Sequence, residues 1–76
     1  MDPVIFKVMA AAFCMAIGSI GPALSEGFIA AKAMEAMGRN PGATEKIVPN
    51  MIVAMAICET TVIFAMVIAL IILFAV

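Results

Sequence analysis

The sequence predicts an all-α protein, a two-helix transmembrane hairpin. Three observations carry that expectation. Of its 76 residues, 67% are hydrophobic and only 12% charged, against about 45–50% and about 25% in ordinary soluble domains. The apolar residues gather into two runs, each longer than the roughly 20 residues that cross a bilayer as a helix. Between the runs, Lys32 to Lys46 holds five of the nine charges: Lys32, Glu35, Arg39, Glu45 and Lys46. So short a chain buries only a modest share of its surface by folding alone. The composition therefore excludes a small soluble enzyme and a disordered tail. The net charge of −1 gives no electrostatic reason to expect nucleic acid.

The first helix is expected over residues 3–38. In lipid every backbone polar group must find its partner within the segment, which selects helix over strand. Nothing before the run resembles a basic leader, and no small-residue cleavage site follows a short apolar core. The run is therefore expected to stay in the mature chain. Pro22 removes one helix hydrogen bond near mid-span and should bend the helix. Small residues recur at every second position: Ser19, Gly21, Ala23, Ser25 and Gly27. On a helix they sort onto two flanks, Ser19, Ala23 and Gly27 on one, Gly21 and Ser25 on another. Small residues four apart let neighbouring backbones approach closely in lipid. Two such flanks suit a closed, homo-oligomeric ring of identical first helices.

The connection is expected at 39–41. Gly38 suits a left-handed residue closing the first helix, Asn40 suits a cap, and Pro41 suits the first helical position. Three of the four basic residues lie in or beside this turn. The positive-inside rule then places the turn in the cytoplasm and both termini outside. The second helix is expected over 42–76, with Pro49 bending its cytoplasmic end. It lacks the small-residue pattern and carries Ile, Val, Leu, Met and Phe, which suits a bulkier outer layer facing membrane lipid. Cys14 and Cys58 sit in apolar runs without any histidine, and read as small buried hydrophobes rather than metal ligands.

Two acids remain inside the spans. Glu59 is the single charge in the apolar run from about Ile47 to Val76, near its centre. A charge there costs about 2.5–3.5 kcal/mol on insertion scales, so the group must hold a proton or bind a cation. Glu26 lies on the small-residue helix. Reflecting the chain about Arg39–Asn40 sets Glu26 opposite Val53, roughly 9 Å of helix rise from Glu59. A connection reaching to about residue 45 brings the two acids level, and the sequence leaves the choice open. If they meet, both cannot ionise cheaply, and two protons, or one proton and one monovalent cation, would neutralise the pocket. Thr60 and Thr61 follow Glu59. A hydroxyl there can ligate a hard cation or bond back to its own helix.

These features together resemble the c subunits of rotary ATP synthases. Arg39-Asn40-Pro41 stands where that family usually has Arg-Gln-Pro. Ser19 to Gly27 matches its Gly-rich stretch, with several glycines replaced by Ser or Ala. Cys58-Glu59-Thr60-Thr61 followed by Ile68 to Ala75 is similar to its second helix, so the likeness covers the whole chain. The resemblance implies an integral, multi-pass protein of the bacterial inner membrane. First helices would line the inside of a ring and second helices the outside. Glu59 would carry one ion per protomer past the a subunit of the stator, whose arginine drives the ion off. Arg39, Asn40 and Pro41 would contact the gamma and epsilon subunits of the central stalk. No cofactor is implied, and the protein is not catalytic alone.

Sodium-binding members resemble this chain at three positions: an acid or amide at Glu26, a hydroxyl at Thr60, and the backbone carbonyl of Ile57. Phe64 departs from them, since a tyrosine hydroxyl commonly steadies the essential Glu there. The reading leans to Na+ held by Glu26, Glu59 and Thr60 over H+. A holin-like pore former would share the size but has no use for a central Glu. A small multidrug exporter usually has four spans and several aromatics around its Glu.

Overall fold

The computed structural model describes residues 2–75. Three helices run in order: α1, Pro3–Gly18; α2, Ile20–Arg39; and α3, Thr44–Phe74. A single 3-10 turn, Pro41–Ala43, joins α2 to α3. Helices α1 and α2 together form the first arm of an antiparallel hairpin, and α3 packs along both. Each arm is long and apolar enough to cross a membrane. No strand occurs among the described residues, as expected where each span must satisfy its own backbone. The expected end of the second helix at Val76 lies outside the described residues.

Asp2 caps the first arm, its carboxylate accepting from the Val4 amide at 2.8 Å, with Pro3 next in line. The arm then breaks at Ser19 (φ −90°, ψ −14°), three residues before the proline expected to bend it. The reason is the geometry of the missing bond. Pro22 has no N–H for the carbonyl four residues back, Gly18, and its ring crowds that same group. The disturbance falls between Gly18 and Ser19. The amides of Ser19 and Ala23 still donate to Met15 and Ser19 at 3.0 Å each, and the Ser19 hydroxyl donates to the Ala16 carbonyl at 3.3 Å. Pro49 behaves differently, because α3 runs through it unbroken. It lies within the first two turns, where it withholds one bond from the Glu45 carbonyl without interrupting the helix. One residue on, the Asn50 side-chain amide donates to the Lys46 carbonyl at 2.8 Å.

The turn also differs in its chemistry. No described glycine has positive φ, so Gly38 remains helical, and α2 ends through Asn40 in an extended conformation (φ −141°, ψ 83°). Asn40 precedes the 3-10 turn without a side-chain cap bond, while Pro41 takes the first position as expected. The Thr44 hydroxyl closes the turn by donating to the Pro41 carbonyl at 2.7 Å.

The arms meet over small side chains. Among the described residues only Ala11, Ala33, Ala65 and Ala69 are buried. Gly18 sits against Ala65, where an added Cβ would lie 3.0 Å from the alanine methyl. Cys14 donates to the Ala65 carbonyl at 3.4 Å. Both cysteines are free and half-buried. The molecule is a flat rod, 58 × 17 × 9 Å across its Cα atoms.

Candidate intramembrane carboxylate site

Helix α2 turns Glu26 toward α3, where it is half-buried while Ser25 and Gly27 beside it are exposed. On α3, Cys58 is half-buried on the side facing the first arm. Each residue advances about 100° around a helix, so Glu59 projects to one flank of the hairpin and Thr60 away from the first arm. The side chain of Glu59 reaches back to Glu26, and the two carboxyl groups lie within hydrogen-bonding reach of each other. The pairing of the arms explains why they meet. With the connection ending at Ala43, Gly18 pairs with Ala65, several residues beyond the simple mirror about Arg39–Asn40. The acids come nearly level as a result.

Thr60 is exposed, and its hydroxyl donates to the Ala56 carbonyl at 3.0 Å. Its oxygen lone pairs are not consumed by that bond. Ile57 is 67% exposed and Phe64 63%, and Thr61 is exposed. One hairpin thus unites Glu26 with Glu59 and turns Thr60 outward. Among the described residues no group of three or more His, Cys, Asp or Glu side chains could hold a metal. Any cation here depends on two acids, a hydroxyl and backbone carbonyls.

The small-residue pattern divides. Ser19 is half-buried in the hairpin, while Gly21, Ala23 and Ser25 do not enter its closest contacts. A Cβ added at Gly21 or Gly27 meets nothing within 4 Å. The two glycines serve no packing purpose inside one hairpin. Arg39, Asn40 and Pro41 are exposed at the turn. Arg39 pairs with Glu35, and Lys32 Nζ lies 3.9 Å from the same carboxylate and 5.5 Å over the Phe28 ring. Sequence reasoning passed over Glu35 as one more charge near the turn. Its spacing, three residues after Lys32 and four before Arg39, is the signal that identifies it.

Fold and family together define an integral membrane hairpin, with a carboxyl pair along its apolar helices and open small-residue flanks. The family model of the ATP synthase C subunit matches residues 9–72. The chain is 43% identical to the ATP synthase c subunit of Synechococcus sp., over 99% of this chain and 95% of that one. It is 46% identical to ATP synthase c subunit 1 of Pelobacter propionicus, over 90% and 75%, and 46% identical to ATP synthase c subunit 2 of Cereibacter sphaeroides, over 93% and 86%. The chain belongs to the ATP synthase c-subunit family, the non-catalytic rotor-ring proteins of the membrane sector.

Proposed function

We propose that this chain is an ion-carrying rotor protein in which Glu59 binds and releases one sodium ion per protomer, assisted by Glu26, Thr60, Thr61 and the Ile57 carbonyl. The approach of Glu26 to Glu59 is the observation that carries the reading. Two carboxyls this close in a medium of low dielectric cannot both ionise cheaply. With Glu26 protonated and donating, Glu59 is free to carry the negative charge that a monovalent cation neutralises. The Thr60 hydroxyl, bonded to its own helix through its proton, offers lone pairs to a hard cation. A neighbouring hairpin supplies the rest of the shell, since Thr60 turns outward from its own partner arm.

In the ring, first arms lie inside and second arms outside, and Ser19, Gly21, Ala23, Ser25 and Gly27 set the close approach of neighbours. Neutral once loaded, Glu59 crosses the lipid face. At the a subunit of the stator, an arginine favours its ionised form and expels the ion. Each charge moved through 100 mV contributes about 2.3 kcal/mol. The turn at Arg39, Asn40 and Pro41 faces the cytoplasm of a bacterium and contacts the gamma and epsilon subunits, with both termini outside.

Carbodiimide labelling of Glu59 tests the ion. The reagent needs the protonated acid, so millimolar sodium at neutral pH should slow labelling. Absence of protection removes sodium and leaves the proton as cargo. Growth of Glu59→Gln cells on a non-fermentable substrate tests the rotor itself, and normal growth would sink it.

A further inference from the structure

We infer that Glu45 and Lys46 form an ion-pair clasp between neighbouring hairpins, Lys46 of one copy meeting Glu45 of the next around the cytoplasmic rim. The inference rests on the ring reading above and adds the contact that orders its rim. Both residues are exposed in the first turn of α3. Adjacent residues do not face each other on a helix, and at about 100° apart the two side chains splay toward different flanks of the hairpin.

Neither finds an ionic partner within its own hairpin. Among the described residues the ion pairs are Lys32–Glu35 and Arg39–Glu35, so Glu35 engages the two nearest cations. Glu45 suits the positive end of the α3 dipole, but Lys46 is placed against it. A cation kept there draws its compensation from outside the helix.

The surroundings of Lys46 fit a second copy of this chain. It borders an open groove of about 380 Å³ between the arms, floored by Ile29, Ala33, Ile47, Met51 and Ala54. At the same heights, one helical step round on the other flank, stand Met34 and Ile52, 62% and 57% exposed. A contact that repeats head to tail brings this bulky flank onto the next copy's groove. The same motion carries Glu45 toward the neighbouring Lys46, two opposite charges at nearly one height.

Charge swapping on the assembled protein tests the clasp. Purified rings are heated in SDS and the temperature of dissociation to monomer is read on gels. Glu45→Lys and Lys46→Glu should each lower that temperature, and the double swap should return it to the wild-type value. Three results overturn the clasp. One is single variants that dissociate like wild type. Another is a double swap no better than either single variant. The third is sensitivity to Lys46→Glu alone with Glu45→Lys silent, which marks Lys46 as a lipid-headgroup contact. A wild-type chain that forms no ring at all overturns the ring reading instead, so the two failures are distinct.

Discussion

Gly18 offers the sharpest test of how the arms are joined. Replacing it with alanine places a methyl 3.0 Å from the Ala65 methyl, where carbon atoms prefer about 3.5–4.0 Å. Neither methyl can rotate away, so the helices must separate by about half an ångström or more. Overpacking of this kind costs about 1–3 kcal/mol. Alanine also improves helix propensity by roughly 1 kcal/mol over glycine, so Gly18→Ala should destabilise the arm contact by about 0–2 kcal/mol. Gly18→Val adds two more methyl groups at the same point and should cost about 3 kcal/mol or more. Gly18→Ala with Ala65→Gly transfers the methyl across the interface. It should show a favourable coupling of about 1 kcal/mol relative to the summed single variants. The assay is SDS unfolding in mixed micelles, followed by energy transfer between labels at Phe6 and Leu73, the free ends of the two arms. Valine tolerated at no cost, or a double variant that is merely additive, would refute the contact.

The carboxylate site and the two kinks give further expected outcomes. Thr60→Val keeps the shape but removes the hydroxyl, so sodium protection of Glu59 should weaken at least about tenfold, roughly the 1.4 kcal/mol of a charge-assisted contact, while labelling without sodium persists. Glu26→Gln retains a neutral donor toward Glu59 and should keep most sodium protection, whereas Glu26→Ala should lose it, as read by the same labelling. Pro22→Ala restores an amide to meet the Gly18 carbonyl, so the first arm should straighten and spin labels at Phe6 and Glu35 should move apart. Glu35→Gln breaks two exposed pairs, each of the kind worth about 0.3–0.5 kcal/mol, and should scarcely shift ring dissociation.

The helices were readable because a bilayer leaves an apolar segment few choices: with no water to satisfy its backbone, each run must be helical. Glu59 was equally plain, as a lone acid in a long apolar run. Whether Glu26 reached it was not, because the answer turned on a few residues of connection. The Pro41–Ala43 turn settled the pairing, and both a tight and a longer turn suit the same polar residues. Gly38 illustrates the same limit. Glycine permits a left-handed helix end but does not require it, and here Asn40 makes the exit in extended form. Pro22 announced a bend, yet its effect surfaced at Gly18–Ser19, because the group deprived of a partner lies a full turn earlier. Thr60 stood evenly between ligand and back-bonding donor, and within one hairpin its proton goes to Ala56.

The four buried alanines bear on what folding means for this chain. Four methyl groups bury little apolar area for a chain of this length. A rod 9 Å thick has almost no interior of its own. The free energy that fixes its shape must come largely from lipid on one side and sibling copies on the others. Folding and assembly then become a single equilibrium, governed by the density of copies in the membrane as much as by sequence. A substitution on an open flank, such as Gly27→Leu, would leave an isolated hairpin untouched and still abolish the native state.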